Sequence, residues 1–219
     1  MKKILLALLL VPCLSFGQTV DVKGAKFTLK HGDLTFYVGS DTAALVSVHE
    51  VTYDELTKID GERNDRWHKE TPNGPYNKNA YVKSGYDLGH LTPSNITSYD
   101  DVLNDHSFSF FNQAPQVAAF NRGKWAQLEK SVITDLLAAK SGAVVITGVI
   151  YDVNSKKLPK SGIKIPVTFY KIVVTNKGNT CYVGSNINGQ CTKVDLSVIL
   201  DLIKKGSNPV TFDIKLGGK

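Results

Sequence analysis

Cysteine is scarce in this sequence, and long hydrophobic runs are confined to its first seventeen residues. Two of the three cysteines, Cys181 and Cys191, lie far apart with no histidine nearby, so they do not match the spacing of zinc ligands. The eight prolines and 18 glycines follow no collagen-like period, and a hydrophobic share of 42% is too high for a disordered chain. These absences leave a folded globular protein, for which 219 residues allow one large domain or two small ones.

The amino terminus predicts a secretory signal peptide over residues 1–17. Two lysines are followed by an apolar run of about thirteen residues, which is too short to span a bilayer of about 30 Å. Small residues then occur at the spacing of a cleavage site. The alternative is a lipoprotein signal with lipid on Cys13, although Pro12 stands where that signal expects a small residue. We expect a secreted or periplasmic protein, with residues 18–219 soluble and free of the membrane.

Export makes Cys181 and Cys191 an even pair in an oxidising compartment, which predicts a disulfide between them. Asn186, Asn188 and Gly189 suit a hairpin turn that would bring the two sulfurs together. The alternative is two unpaired thiols.

The apolar pattern predicts a single α+β domain, because no repeat or linker divides the chain. Strands are predicted over 27–29, 34–38, 44–48, 143–147 and 166–174. Residues 57–86 are polar and rich in Asn, Lys and Gly, which is typical of an irregular surface stretch.

Two helices are predicted, over 121–139 and 196–205. The first has one apolar stripe at spacings of three and four, formed by Trp125, Leu128, Val132 and Leu136.

Two segments, 85–95 and 111–129, carry more polar residues than packing requires. In the first, His90 follows a glycine, where the backbone is exposed and the ring can be reached. In the second, Asn121 and Glu129 are slightly more than two helical turns apart, so their side chains share one side of the predicted helix. A histidine, an asparagine and a glutamate that meet in a polar cleft suit hydrolysis assisted by a metal ion.

Each of these residues also has a purely structural explanation. His90 alone is compatible with a hydrogen-bonded structural histidine, Asn121 with a helix cap, and Glu129 with a solvated helix position. Asn112 and Gln116 are typical loop amides. The functional hypothesis therefore depends on the combination.

In their order and spacing these motifs resemble the DNA/RNA non-specific endonucleases, the ββα-metal nucleases. The resemblance is carried by Asp87-Leu-Gly-His90, Leu91-Thr-Pro93, Asn112, Gln116, Asn121-Arg-Gly-Lys-Trp125 and Glu129. Secondary matches at Arg66-Trp67, Val144–Gly148 and Ile165–Lys171 extend it over roughly residues 45 to 175. It implies an α+β domain with a central, mainly antiparallel sheet flanked by helices, which carries a ββα-metal motif.

The resemblance also implies the catalytic roles. The residue that matches His90 is the general base, and a neutral imidazole with a pKa near 6.5 suits that task. The residue that matches Asn121 is the only direct protein ligand of one Mg²⁺ ion, with Mn²⁺ as the alternative, and water fills most other positions. Glu129 matches a glutamate that holds metal-bound water.

Supporting residues follow from the same resemblance. Asn112 and Gln116 match amides that surround the site. Arg66 matches an arginine that grips the phosphate bidentately, although Arg63 is close enough in sequence to leave the choice between the two open.

Leu88 departs from the family pattern, which usually reads Asp-Arg-Gly-His. A missing arginine puts the catalytic rate or the substrate geometry in doubt, although Lys83, Arg122 or Lys124 could supply the charge. The alternative functions are a catalytically weakened or inactive member that binds nucleic acid, and an interaction protein of the cell envelope.

The predicted partners are DNA and RNA substrates. The formal net charge is +6, or +4 without Lys2 and Lys3 of the predicted signal peptide (24 basic against 20 acidic residues), and this surplus permits such polyanions without requiring them. An inhibitor protein is a further candidate partner. Neither the oligomeric state nor the preference between DNA and RNA follows from the sequence.

Overall fold

Antiparallel strands form the centre of this computed structural model, which describes residues 19–39, 44–69 and 78–215. The strands are β1 (Thr19–Lys23), β2 (Phe27–His31), β3 (Leu34–Val38), β4 (Ala44–Val51), β5 (Tyr86–His90), β6 (Gln113–Val117), β7 (Ala143–Ile150), β8 (Thr168–Thr175), β9 (Gly178–Ser185), β10 (Cys191–Val194) and β11 (Thr211–Lys215). Seven of them pair in the order β10-β9-β8-β7-β4-β3-β2, and β1-β11 and β5-β6 form two separate pairs. The expected mixed fold with a central antiparallel sheet is confirmed.

Short helices and one long helix cover this framework. They are α1 (Tyr53–Leu56), α2 (Ser94–Thr97), α3 (Asp101–Ser107), α4 (Ala118–Phe120), α5 (Ala126–Ala138) and α6 (Leu196–Lys205), with a π-helical turn at Asn121–Trp125 between α4 and α5. The predicted helix over 121–139 is confirmed in its extent, although it begins three residues earlier. Among the described helices, none is long and apolar enough to cross a membrane.

The core forms where α5 packs on the central sheet. The whole of β7 is buried, and the apolar stripe of α5 and the π turn faces the sheet, with Trp125 fully buried and its ring 5.6 Å from that of Phe169 on β8. Fully burying such a side chain contributes about 1.5–3 kcal/mol relative to exposure. The stripe predicted at Trp125, Leu128, Val132 and Leu136 is therefore the core contact of the helix.

The predicted disulfide is wrong, because Cys181 and Cys191 are free thiols. They do lie on adjacent strands, but Cys181 pairs with Val194 and Cys191 pairs with Gly184, three positions away along the ladder. Since side chains alternate along a strand, an offset of three places the two thiols on opposite faces of the sheet. The turn chemistry was read correctly, but it sets a register that separates the sulfurs.

Neither the β5-β6 pair nor the β1-β11 pair was predicted. After α6 the chain continues into β11, which pairs with β1 in the register Thr19↔Lys215 to Lys23↔Thr211. The predicted signal peptide, with Cys13, lies outside the described residues, as does part of the irregular stretch predicted over 57–86. Where that stretch is described, it contains a short 3₁₀ turn, Lys78–Tyr81, and one isolated bridge from His68 to Ser109.

Candidate active site

A cleft of about 530 Å³ opens where the β5-β6 pair meets the π turn and the start of α5. We call it the central cleft; its principal lining residues are Arg63, Trp67, Asp87, Leu88, His90, Asn121, Arg122 and Glu129. They come from three stretches of the chain: the irregular segment before β5, the strand itself, and the helix. The cleft therefore unites His90, Asn121 and Glu129, as the sequence predicted.

His90 ends strand β5, and its ring is held by aromatic neighbours. The ring centroids of Trp67 and Phe108 lie 4.6 Å and 5.0 Å from it, and its Nε2 is buried without a hydrogen-bond partner among the described residues. Burial and then the positive charge of Arg63 lower the pKa of His90 below its ordinary value. The imidazole is therefore neutral at pH 7, and its pKa of about 3 lies well below the value near 6.5 that was expected of the general base.

Asn121 is fixed by Asp87, which sequence reasoning treated only as a neighbour of His90. The Asn121 Nδ2 donates to Asp87 Oδ2 at 3.0 Å, so the amide carbonyl oxygen is the atom left for another ligand. Asn121 is not an N-cap, because the helix begins at Ala118 and the backbone of Asn121 is already helical. Its side chain therefore serves the cleft rather than the helix end.

Arg122 clamps the same carboxylate. Its Nε and Nη2 donate to the two oxygens of Asp87 at 2.8 Å and 2.7 Å, while 73% of the arginine side chain stays exposed. Partial burial raises the pKa of Asp87, but the hydrogen bonds from Arg122 and Asn121 lower it by more. The pKa of Asp87 therefore lies below its ordinary value. Asp87 is thus a charged bridge between the amide and a guanidinium.

The π turn sets the direction of these two side chains. In Asn121–Trp125 the residue Gly123 departs from helical dihedrals, with φ −104° and ψ −108°, so the helix is kinked at this turn. Such turns occur frequently at functional sites. Here the turn places Asn121 and Arg122 against Asp87 while Trp125 enters the core.

Glu129 lies one turn into α5, above a row of buried polar side chains. Ser47, Thr147 and Lys171 are neighbours across β4, β7 and β8, and the Lys171 Nζ donates to Thr147 Oγ1 at 2.5 Å. Burial raises the pKa of Glu129, and the positive charge of Lys171 opposes that rise. The Oε1 atom of Glu129 is buried without a hydrogen-bond partner in the described part of the chain.

Lys171 was matched by the sequence resemblance but given no role. Its signal was a charged residue within an apolar strand, which is unusual because a buried ammonium needs a partner. The structure shows its effect, since its charge acts on Glu129 beneath the cleft.

The two candidate arginines occupy different places. Arg63 lines the central cleft and lies 5.4 Å from the centroid of the Phe108 ring, beside His90. Arg66 instead lines a second cleft of about 700 Å³, which we call the side cleft; its walls include Glu62, Arg63, Arg66, Trp67, Asp101 and Asp105. The structure therefore brings Arg63, and not Arg66, into the lining that contains His90.

Comparisons with known proteins identify the family of this chain. The model of the DNA/RNA non-specific endonuclease family matches residues 18–211. The chain is a member of that family. It is thus a nuclease, a hydrolase that acts on nucleic acids, from a family whose members depend on a divalent metal ion.

Individual relatives support the assignment. The chain is 27% identical to Nuclease C1 of Cunninghamella echinulata var. echinulata over 200 residues, which cover 81% of this chain and 79% of that protein. It is 32% identical to the mitochondrial nuclease of Saccharomyces cerevisiae over 108 residues, which cover 43% of this chain and 32% of that protein. Its fold is similar to the crystal structure of the EndoG/EndoGI complex, with a TM-score of 0.68, 21% identity and coverage of 80% and 82%.

The donor atoms of this endonuclease fit a hard divalent cation. No group of three or more His, Cys, Asp or Glu residues able to hold a metal occurs in the described residues. The Asn121 carbonyl oxygen and the unpartnered Oε1 of Glu129 are hard donors on one side of the cleft. An ion such as Mg²⁺, which keeps several of its waters, suits this sparse set.

Asn112 and Gln116 lie behind the endonuclease cleft and do not line it. The Asn112 amide accepts from the Thr92 N–H at 2.9 Å and donates to the carbonyls of Thr92 and Ser107, so it ties down the segment after His90. Gln116 is buried against Gly89, where any side chain at position 89 would overlap it. Both amides therefore support the position of His90 from outside the cleft.

Leu88 borders the central cleft and also packs against a small apolar cluster. The cluster consists of Ala80, Tyr81, Phe110, Leu158, Ile163 and Ile165. The position that carries arginine in the usual family motif is thus apolar here. The cations that line the cleft are Arg63, which is ion-paired with Asp65, and Arg122, which is ion-paired with Asp87.

Proposed function

We propose that this chain is an exported, Mg²⁺-dependent, sugar-non-specific endonuclease in which His90 activates the attacking water. The observation that carries the proposal is the convergence of a neutral imidazole, an amide oxygen, a carboxylate and a guanidinium in one cleft. Hydrolysis of a phosphodiester needs a base for water, neutralisation of charge at phosphorus and help for the departing 3′ oxygen.

The residues of the chain divide this work. The His90 imidazole takes one proton from water as the water oxygen bonds to phosphorus and the bond from phosphorus to the 3′ oxygen breaks. Trp67 and Phe108 hold the ring in place, so little reorientation is required. Arg63 faces the negative charge that builds on the phosphate oxygens.

Asn121 and Glu129 are the residues that would hold the metal ion, Asn121 directly and Glu129 through bound water. When bound, Mg²⁺ stabilises the charged transition state and the leaving oxygen. Asp87 orients the Asn121 amide so that its carbonyl oxygen is left for the ion. Mn²⁺, which takes similar oxygen ligands, is the alternative ion.

The substrates that we propose are both DNA and RNA, because contacts to the phosphate backbone carry no sequence information. The predicted signal peptide supports export to the periplasm or the medium. The EndoG/EndoGI structure concerns the inhibition of EndoG, and we propose by analogy that an inhibitor protein is a candidate partner of this chain.

Plasmid DNA and RNA incubated with purified protein test the proposal. We expect cleavage of both that excess EDTA abolishes and Mg²⁺ restores. His90→Ala should lower kcat by about 10²–10⁴-fold, the usual contribution of a general base, and Asn121→Ala should raise the Mg²⁺ requirement as well. Lys204→Ala, an exposed change on α6, is the control. Undiminished activity in EDTA, or in folded His90→Ala, would contradict the mechanism.

A further inference from the structure

A small hairpin, residues 156–165, lies in the connection between β7 and β8; we call it the β7-β8 hairpin. The N–H of Leu158 donates to the carbonyl of Ile163, and the N–H of Ile165 donates to the carbonyl of Lys156, each at 2.8 Å. The side chains of Leu158, Ile163 and Ile165 are buried in the apolar cluster. One side of the hairpin is therefore fixed to the body of the protein.

The apolar cluster is also part of the wall of the central cleft. Tyr81 belongs to the cluster, and Trp67, Tyr86 and Leu88 pack against it. All four residues line the central cleft. The β7-β8 hairpin and the cleft therefore share one packed wall, on the side where Leu88 replaces the arginine of the family motif.

The other side of the hairpin carries two opposed lysines. Lys157 and Lys164 are paired directly across the hairpin, between its two backbone hydrogen bonds, which is the pairing that brings side chains closest. Because side chains alternate along a strand, both lysines project away from the side that holds Leu158 and Ile163. Like charges directly opposite each other are destabilising. The apolar packing of the hairpin does not require this costly pair.

Positive charge dominates the whole connection. Residues 151–167 contain four lysines and a single acidic residue, Asp152, whose carboxylate accepts a backbone hydrogen bond within its own turn. Lys156, Lys157 and Lys160 are exposed. Exposed lysines of this kind bind the phosphates of nucleic acids, because the contacts release condensed counterions.

We propose that the β7-β8 hairpin binds the phosphate backbone of duplex nucleic acid beside the position of cleavage. This inference rests on the proposed nuclease function and adds an interaction surface to it. A duplex carries one negative charge per about 1.7 Å of its axis, so a duplex that is cut at His90 presents further phosphates beyond the cleft wall. The hairpin meets these phosphates on the Leu88 side of the cleft.

Two substrates test this role. A long linear DNA duplex extends past the cleft wall, whereas a single-stranded trinucleotide reaches little beyond the cleft. Lys157→Ala/Lys160→Ala should raise KM for the duplex about tenfold and leave kcat unchanged, because contacts far from the reacting atoms act equally on the bound substrate and the transition state. The same variant should cleave the trinucleotide like the wild type. An equal loss on both substrates would overturn the proposal.

The matched control is Lys204→Ala/Lys205→Ala, which removes the same charge from two exposed positions at the end of α6. It should leave KM for the duplex unchanged, and equal rises in KM for the two double variants would overturn the proposal in favour of net charge. The Tm of Lys157→Ala/Lys160→Ala should not fall below that of the wild type, because the substitution removes one member of the opposed lysine pair.

Binding measured in EDTA tests the hairpin apart from catalysis. Fluorescence anisotropy with a labelled DNA duplex should show that Lys157→Ala/Lys160→Ala weakens binding about tenfold and reduces the slope of log affinity against log salt by about two, one for each lysine. The α6 control should bind like the wild type. Wild-type affinity in the hairpin variant would refute the surface, whereas binding that depends on the hairpin without any Mg²⁺-dependent cleavage would refute only the proposed function.

Discussion

At the scale of single residues, Leu88 is the position where this chain leaves its family's pattern. Its side chain borders the central cleft at one end and the apolar cluster at the other. An arginine there would place its aliphatic stem against the cluster and its guanidinium in the cleft, because long cationic side chains extend in this way. Position 88 thus accommodates either residue, and the choice sets the charge beside His90.

We expect Leu88→Arg to raise kcat/KM several-fold, since a second cation would stabilise the charge that develops on the phosphate. Like-charge repulsion should also lower the pKa of His90 further and move the acidic limb of the pH–rate profile to lower pH. Leu88→Arg should also destabilise the fold, because apolar packing is lost. A loss of about 1 kcal/mol in the free energy of unfolding corresponds to a fall of about 2–4 °C in Tm for a chain of this size.

Leu88→Met is the matched control, because it keeps the volume and the apolar contact. It should leave both the pH profile and kcat/KM as in the wild type. If Leu88→Arg lowers Tm and leaves the pH profile unchanged, then the cations already in the cleft fill the phosphate site, and the added charge has no catalytic role.

At the scale of elements, the β5-β6 pair carries His90, and one close contact determines how closely these two strands pack. Gly89 has no side chain, and Gln116 of β6 fills the space that one would occupy. A β-carbon at position 89 would overlap both the Oε1 and the β-carbon of Gln116. The glycine before His90 is therefore required by packing across the strand pair.

Gly89→Ala should destabilise the fold by about 1–3 kcal/mol, the usual cost of overpacking, and should lower kcat by displacing His90. Urea unfolding and steady-state kinetics measure the two effects. Gln116→Gly removes the obstructing side chain, so Gly89→Ala made in that background should cost much less than it does alone. Additive costs in this double-mutant cycle would show that the contact is not the cause.

Elements with a strong local signal were predictable from the sequence, and those that depend on distant partners were not. The apolar stripe from Trp125 to Leu136 predicts a helix, and the apolar run of β8 predicts a strand, from the local sequence alone. The pairing of β1 with β11 joins residues nearly two hundred positions apart, which no local pattern reports. The π turn was missed because apolar spacing does not reveal a local kink within a helix.

The same distinction applies to the site. His90, Asn121 and Glu129 were found through their motif, and the structure places them in one cleft. Asp87 and Lys171 were not assigned roles, because their effects depend on the partners that the fold brings to them, Asn121 and Glu129. The disulfide prediction was wrong although the local turn signal was correct, because strand register decides which side chains meet.

At the scale of the whole molecule, buried ionisable groups set the response to pH. His49 lies on β4 with none of its surface exposed, and its Nε2 is 3.3 Å from the Tyr99 hydroxyl. Burial, with a smaller effect from the positive charge of Lys171, lowers the pKa of His49 to about 3. The folded protein keeps this histidine neutral across a range in which the unfolded chain takes up a proton.

Stability should therefore be lost as pH falls below about 6.5, the ordinary pKa of histidine, and the loss should continue toward pH 3. His49 should contribute about 1.4 kcal/mol per pH unit to this slope, and none of it above pH 7. His49→Gln, which does not titrate, should reduce the slope of the free energy of unfolding by that amount between pH 6 and 4. Parallel curves for the two proteins would contradict the assignment.

The pairing of β1 with β11 also bears on how the chain is connected. Because Thr19 lies opposite Lys215, a short peptide could join these two residues, and new ends could be opened in the exposed turn around Val153, 86% of which is accessible. In such a circular permutant the strand order of the central sheet and the walls of the cleft stay the same, although the order of synthesis is changed. The arrangement of His90, Asn121 and Glu129 thus depends on which elements are neighbours in space, and more than one order of chain connection is compatible with it.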